Sequence, residues 1–264
     1  MLVGDWMAVT YFINNKGSIT SAKSIPNSAG LWNCITAADI DKDGDIDFVL
    51  GNWGQNSRFK ASVEKPMEMY VNDFDKNESI EALITYYWPD SRSHLYNSKE
   101  DITSQLPYLK KKILQYKDYA GKSINDIIGN DLLNASSRLS IQTLSSSVLV
   151  NEGNNNFKLS ALPAMCQASP VFTVILNDFD KDGNLDILTG GNLFDLKPDI
   201  GRLDANASSL LQGDGKGSFQ WMPSLQSGLQ IKGQLRDAAL ITVNNKQYVL
   251  IARNNDAILF LDFK

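Results

Sequence analysis

Short apolar segments alternate along this chain with acidic loops of nine residues. The clearest loops are residues 39–47 and 178–186, and a less regular copy is residues 73–81. Each loop lies between two short runs rich in Ile, Leu, Val and Ala, and runs of this kind are typical of β-strands. The pattern therefore predicts three strand–loop–strand units.

Two further patterns predict hairpins. Residues 238–243 and 248–252 repeat the paired apolar runs, but only the short polar segment 244–247 stands between them. Segments rich in Gly and Asn recur at 14–19, 151–157 and 213–219. Gly and Asn adopt the positive φ that tight hairpin turns require. A hairpin that follows a strand–loop–strand unit completes a four-stranded antiparallel unit.

Four-stranded antiparallel units repeated along a chain are typical of a β-propeller, whose blades take roughly 40–50 residues. One stretch, about 93–138, departs from this period. Leu106, Leu109 and Ile113 in this stretch fall at helical spacing, which indicates a helix. We predict an all-β fold in which residues 1–264 supply roughly four to five four-stranded blades of a larger propeller. The helical stretch is a small insertion between or within blades.

Composition narrows the classes of function. Hydrophobic residues make up 43% and charged residues 21%, which excludes a disordered chain. No apolar run approaches the roughly 20 residues of a membrane span. A net charge of −5 without a basic block argues against a nucleic-acid partner. His94, Cys34 and Cys166 are too few for a His/Cys zinc site, which takes about four such ligands. The two cysteines fit either a disulfide or two buried free thiols.

The acidic loops place side-chain oxygens at alternate positions. With the first Asp counted as position 1, carboxylates or other oxygen donors occupy positions 1, 3, 5, 7 and 9, and the carbonyl of position 7 can face the same centre. Oxygen-only donors suit Ca²⁺, which accepts about 6–8 of them, whereas Mg²⁺ takes fewer protein ligands. The predicted Ca²⁺ ligands are Asp39, Asp41, Asp43, Asp45 and Asp47; Asp73, Asp75, Asn77, Ser79 and Glu81; and Asp178, Asp180, Asp182, Asn184 and Asp186.

An EF-hand does not explain these loops. It requires a bidentate Glu at position 12 and flanking helices, whereas position 12 is Leu50, Ile84 or Thr189 and the flanks are predicted strands. A metal-free polar turn remains an alternative, above all for 73–81. There Glu78 stands at position 6, where the other two loops have Gly, and must accept a strained backbone.

The pattern D-x-D-x-D-G-x-x-D between strands, followed by apolar residues and Gly, resembles the FG-GAP repeat. This repeat is also described as the VCBS repeat, and it builds the seven-bladed propeller of integrin α chains. The resemblance covers about 1–90 and 140–264, and it is most specific at 39–47 and 178–186. With Gly4-Asp5-Trp6-Met7 and Gly51-Asn52-Trp53-Gly54, the chain is similar to the C-terminal part of large bacterial surface proteins of the ASPIC/UnbV-associated type.

The resemblance implies a calcium-stabilised propeller, part of a seven-bladed ring, that is extracellular, on the cell surface or periplasmic. No residue matches an integrin ligand site. Leu2–Trp6 aligns with Val49–Trp53, the strand that leaves an acidic loop, and the loop that should precede Leu2 is missing. We therefore expect the chain to be continuous with further blades N-terminal to Met1.

Three functions are compatible with these features. The first is a non-catalytic module that binds a protein or a glycan. The second is a polysaccharide lyase or hydrolase on a calcium-bearing propeller, for which His94 and Asp90 are the candidate residues. The third is a purely structural segment of a larger surface protein. No acid/base pair or nucleophile motif is recognisable outside the loops, so we expect a binding module.

Overall fold

The computed structural model describes residues 1–87, 90–198 and 200–263, and strands dominate it. In chain order the strands are β1 (Asp5–Met7), β2 (Thr10–Asn15), β3 (Ser18–Ser24), β4 (Gly30–Leu31), β5 (Cys34–Ala38), β6 (Asp47–Gly51), β7 (Met67–Asn72), β8 (Glu81–Tyr87), β9 (Ser93–Leu95), β10 (Ser137–Ile141), β11 (Ser147–Asn151), β12 (Phe157–Ala161), β13 (Val171–Asn177), β14 (Asp186–Gly191), β15 (Ser209–Gly213), β16 (Phe219–Met222), β17 (Leu235–Val243), β18 (Lys246–Arg253) and β19 (Leu259–Asp262). The α-helices are α1 (Lys99–Gln105), α2 (Ile124–Ile128), α3 (Asn130–Asn134) and α4 (Ser224–Ser227). Short 3₁₀ helices span Pro107–Lys111, Tyr116–Asp118 and Ala164–Gln167.

The chain divides into two compact units. Unit 1 consists of Met1–Pro26, Leu31–Arg58 and Leu144–Lys264, and unit 2 consists of Asn27–Gly30 and Phe59–Thr143. The longer segment of unit 2 therefore interrupts the sequence of unit 1 between β6 and β11, and the shorter one interrupts it after β3. None of the described helices is both long enough and apolar enough to cross a lipid bilayer.

Unit 1 contains two four-stranded antiparallel sheets of the same topology. Sheet I has the order β12-β11-β6-β5, and sheet II has the order β13-β14-β15-β16. In both, the strand that enters an acidic loop lies at one edge, and a hairpin supplies the last two strands. The predicted four-stranded antiparallel units and the hairpin turns at 151–157 and 213–219 are confirmed. The β2–β3 hairpin at 14–19 is also present.

A three-stranded sheet, β17-β18-β19, forms sheet III of unit 1. Its first two strands correspond to the paired apolar runs predicted around 244–247, and they pair from Leu235–Arg253 to Val243–Lys246. Asn244 and Asn245 both have positive φ, 50° and 61°, which suits the tight turn of a hairpin. The paired strands are thus present, and a two-residue turn takes the place of an acidic loop.

Sheets I, II and III pack face to face in succession. β13 contacts β5 on one side and β17 on the other. Alternate residues of β13 therefore face different cores: Val174 packs with Val49 and Val148 of sheet I, whereas Ile175 packs with residues of sheet III. Burial of such a side chain stabilises the fold by roughly 1.5–3 kcal/mol. This two-sided burial explains why the strands beside the loops are almost continuously apolar.

Cys34 and Cys166 both contact the core between sheets I and II, and both are free thiols. Desolvation raises the pKa of each thiol to about 12. Of the two states that fit the sequence, the structure has the free thiols, with Cys166 buried and Cys34 half-buried. Their high pKa keeps them protonated and unreactive.

Unit 2 consists of a sheet covered by short helices. Sheet IV has the order β10-β7-β8-β9, so that β7, which enters loop 73–81, has a neighbour on both sides. The helices lie between Lys99 and Asn134. α1 begins at a capping box, in which Ser98 Oγ accepts from the Asp101 N–H at 3.0 Å. Phe74 of loop 73–81 and Leu83 of β8 share a core with Ile102 of α1. Loop 73–81 therefore belongs to a sheet with a strand order different from that of the other two loops.

Candidate metal centre

The structure gathers carboxylates in all three acidic loops. Within each group, one ligand oxygen from every residue lies within 4.8 Å of the others. The groups are Asp39, Asp41 and Asp43; Asp73, Asp75 and Glu81; and Asp178, Asp180 and Asp186. Three like charges at this separation repel one another strongly unless a cation is bound. Each group is therefore a candidate site for a metal ion.

The backbone of each loop turns through two residues in the left-handed conformation. Position 6 has positive φ in all three: Gly44 at 94°, Glu78 at 67° and Gly183 at 91°. Glu78 thus has the strained backbone that its position predicts, at a cost of roughly 1–2 kcal/mol. Position 4 is a Lys in each loop and is also left-handed, with φ of 67°, 60° and 64° at Lys42, Lys76 and Lys181. The pattern of oxygens did not reveal this second turn residue.

Side-chain oxygens at positions 1 and 5 hold the turn. In loop 73–81, Asp73 accepts from the N–H groups of Asn77 at 3.0 Å and Glu78 at 2.9 Å. Asp178 accepts in the same way from Asp182 and Gly183, and Asp39 accepts from Gly44. The position-5 side chain accepts from the N–H of position 7 in every loop, at 2.7 to 2.8 Å. Asp43, Asn77 and Asp182 thus stabilise the turn itself.

The position-9 carboxylate connects each loop to its surroundings. Asp47 is fully buried and accepts from the N–H of Ile40 at 2.9 Å and of Asn151 at 2.8 Å. Asp186 makes the equivalent bonds to Phe179 and Gly213, both at 3.0 Å. Asn151 and Gly213 each end the third strand of their sheet. These two aspartates therefore clamp a loop to the next strand, a role that the sequence did not indicate.

Glu81 makes only half of this clamp. Within the described part of the chain, its carboxylate accepts one backbone N–H, that of Phe74 at 3.0 Å. β9 pairs with β8 only at Thr85–Tyr87, which is the end of β8 away from the loop. Among the described strands, none lies beside Glu81 in the place that β11 takes beside Asp47.

Some predicted ligands lie outside the carboxylate groups. Asp45, Asp47 and Asp182 are not members. The Asn184 side chain accepts from the Lys42 ammonium at 2.7 Å and donates to Asp182 at 3.1 Å. Asn184 therefore connects loop 178–186 to loop 39–47. The Ser79 N–H donates to Asn77, as in the turns of the other loops.

In two of the acidic loops, one buried carboxylate oxygen has no hydrogen-bond donor among the described residues. Among residues 1–87, 90–198 and 200–263, nothing donates to Asp39 Oδ1 or Asp75 Oδ1, although both atoms are buried. In loop 178–186, by contrast, Asp180 Oδ2 accepts from the Gln212 amide at 2.5 Å. A buried acceptor without a partner costs about 1–3 kcal/mol, and more when it is charged. A bound cation would remove this cost, so these two loops fit a metal ion well.

The carboxylate groups also disfavour their own ionisation. Desolvation, and then the negative charges of Asp47, Asp43 and Asp39, raise the pKa of the Asp41 carboxyl above its ordinary value. Burial raises the pKa of Asp186, and the charges of Asp180 and Asp182 raise it further. Crowded carboxylates of this kind are expected where a cation normally compensates the charge.

His94, the other candidate residue, lines a cavity of about 390 Å³ in unit 2. Its Nε2 lies 3.0 Å from Asp90 Oδ2, and its Nδ1 lies 2.9 Å from the carbonyl oxygen of Lys122. Both partners are hydrogen-bond acceptors. The imidazole is therefore held between two acceptors within unit 2.

No protein-family model matches the chain, and no curated protein matches it. The likeness to FG-GAP repeats therefore rests on the motif residues alone.

Proposed function

We propose that this protein is a calcium-binding, non-catalytic β-propeller module of the FG-GAP/VCBS type. One observation carries the proposal. A nine-residue acidic loop recurs three times with the same turn conformation and gathered carboxylates. In two copies a buried carboxylate oxygen has no donor in the described part of the chain. Oxygen-only donors in a flexible loop suit Ca²⁺ better than metals that require His or Cys.

The chain's own residues would hold the ion in the middle of each turn. Asp39, Asp41 and Asp43 would do so in the first loop, Asp73, Asp75 and Glu81 in the second, and Asp178, Asp180 and Asp186 in the third. The ion supplies positive charge that offsets the repulsion between these carboxylates. Because it binds the folded loop, it stabilises the fold by mass action.

The packing of unit 1 supports the propeller. Sheets I and II share one meander topology, and β5, β13 and β17, the first strands of three successive sheets, lie next to one another. In a propeller the first strands of successive blades are neighbours in the same way. We propose that these sheets are blades of a seven-bladed ring.

A binding role follows from this arrangement. Propellers present loops from many blades on one face, and this face suits a protein or glycan ligand. Extracellular calcium modules bind the ion at about 10⁻⁴–10⁻³ M, so we propose that the protein works outside the cytoplasm. The catalytic alternative gains no support from His94, since both of its ring nitrogens already face acceptors.

Calorimetric titration of calcium into chelator-treated protein tests the proposal. We expect saturable heat, and a melting temperature that falls when EDTA is added. Asp39→Asn should reduce both, because it removes a carboxylate from a candidate site. Asp204→Asn is the matched control, since Asp204 is an exposed carboxylate of unit 1 that pairs with Arg202 outside the loops. The absence of heat and of a thermal shift would contradict the proposal.

A further inference from the structure

A cleft of about 490 Å³ lies in unit 1 beside the loop 39–47. One wall is the outer hairpin of sheet I. Val150 pairs with Lys158 and Val148 pairs with Ser160 across β11 and β12, so these four side chains occupy one face of the hairpin. The other wall is the turn 213–219 of sheet II, which contributes Lys216 and Phe219.

The turn lies directly against this face of sheet I. Gly217 has φ of +81°, and a Cβ atom built there would come within 3.1 Å of Val150 Cγ2. The floor of the cleft is continuous with the buried core between the sheets, which includes Val148 and Leu162. The cleft is therefore built from packed elements, and its volume lies within the range of ligand sites, about 300–1,000 Å³.

The two lysine side chains that line the cleft lack polar partners among the described residues, whereas its two acids do not. The ammonium groups of Lys158 and Lys216 have no ion pair or hydrogen bond in the described part of the chain. Of the two acids in the lining, Glu152 accepts the Asn156 amide at 2.8 Å, and Asp41 belongs to the carboxylate group of loop 39–47. Two free cations that come from separate hairpins suit an anionic ligand.

We infer that this cleft binds a carboxylate-bearing sugar, such as a uronic acid, when calcium occupies loop 39–47. The inference rests on the proposed function, because the Asp41 carboxylate would repel an anion until a cation offsets its charge. Lys158 and Lys216 pair with the sugar carboxylate, and the hydroxyls of Ser160 and Ser218 bond to those of the ring. Phe219 and Val150 pack against its apolar face.

A sugar fits these walls better than an acidic peptide does. β12 is an edge strand, and a peptide would bind most simply by adding a strand to it. Lys158 is the second residue of β12, and a lysine on an edge strand opposes such pairing. The hydroxyl, apolar and cationic groups of the cleft match the three kinds of surface that an acidic sugar exposes.

Titration calorimetry on the full chain tests the inference, with digalacturonate as the probe and the corresponding neutral disaccharide for comparison. In calcium we expect digalacturonate to bind and the neutral sugar to bind at least about tenfold more weakly, because it forms no charge-assisted bond. Lys158→Gln and Lys216→Gln should each weaken binding by about tenfold for the same reason. Lys23→Gln, at an exposed position of β3, should leave it unchanged.

The outcomes separate the two proposals. Calcium heat without digalacturonate binding would overturn the cleft and leave the calcium module standing, whereas no calcium heat would overturn both. Equal digalacturonate binding in calcium and in EDTA, or by the two lysine variants, would contradict the inference. Tighter binding of an aspartate-rich peptide would also contradict it. Unchanged calcium heat in the variants shows that they remain folded.

Discussion

The loops 39–47 and 73–81 have the same turn but differ in how they are attached to their sheets. Both have left-handed residues at positions 4 and 6, and both have a buried aspartate oxygen to which no described residue donates. Asp47, however, accepts N–H groups from its own loop and from β11, whereas Glu81 accepts only from Phe74 among the described residues. The nine residues of each loop are thus sufficient to bring the carboxylates together. The bond from the position-9 carboxylate to a neighbouring strand depends on the strand order of the sheet.

The strand order explains the difference. In sheet I the strand leaving the loop, β6, has β11 beside it, and β11 ends with the Asn151 N–H next to Asp47. In sheet IV the strand leaving the loop, β8, pairs with β9 only at its far end. Loop 39–47 is therefore attached through Asp47 to the third strand of its sheet, while the position-9 carboxylate of loop 73–81 bonds only within its own loop among the described residues.

The largest expected effect is at position 9. Asp47→Ala should lower the free energy of unfolding by about 4 kcal/mol, because it removes two bonds to a charged acceptor and leaves the buried N–H of Ile40 and the half-buried N–H of Asn151 unpaired. Glu81→Ala should cost about 2 kcal/mol, because only one such bond is lost. Urea denaturation in EDTA measures both, with Asp45→Ala, at an exposed position, as the control. Equal losses of unfolding free energy in Asp47→Ala and Glu81→Ala would contradict the claim that only Asp47 connects its loop to a neighbouring strand.

The second effect concerns calcium itself. At a free concentration of about 100 times Kd, each occupied site stabilises the folded state by about 2.7 kcal/mol. Asp39→Asn and Asp73→Asn should each remove the contribution of one loop. We expect Asp39→Asn to reduce the stabilisation of sheet I by calcium, and Asp73→Asn to reduce the stabilisation of unit 2 by calcium. Hydrogen exchange with and without calcium distinguishes these regions. The same protection pattern in both variants would contradict the assignment of one calcium site to each region.

The third effect exchanges the residues at position 6. Glu78→Gly should stabilise the protein by about 1 kcal/mol, because Gly adopts the left-handed conformation without steric cost. Gly44→Ala should destabilise it by a similar amount. A Cβ at Gly44 meets no atom within 4 Å, so the effect of Gly44→Ala reports backbone strain alone. Thermal melts in EDTA measure both, and changes of the same sign would refute the interpretation.

The smallest effect is the pH dependence of Asp41. Its pKa is raised in the folded protein, so its ionised form is disfavoured there. This cost is fully present above the raised pKa and disappears below the ordinary Asp value of about 3.9. In EDTA, Asp41→Asn should therefore melt higher than the wild type at neutral pH, and this advantage should shrink as the pH falls toward 4. A difference in melting temperature between Asp41→Asn and the wild type that stays constant across this pH range would contradict the claim that the carboxylates repel one another.

Local patterns predicted local structure well. The alternation of oxygens predicted the turn around Asp39, Asp73 and Asp178, and Gly-Asn segments predicted the hairpins. The strand order of sheet IV could not be read in the same way, because the neighbours of β7 and β8 are set by packing against residues distant in the chain. The clamp at Asp47 was missed for the same reason, since its donor at Asn151 lies beyond the whole of Phe59–Thr143.

The most direct test of the account is the number of calcium ions held per chain after equilibrium dialysis at saturating calcium, counted by native mass spectrometry. The three carboxylate groups predict three ions in the wild type. They predict two in Asp39→Asn and two in Asp73→Asn. A wild-type chain that holds no calcium under these conditions, or loop variants that hold as many ions as the wild type, would contradict the claim that these loops are cation sites.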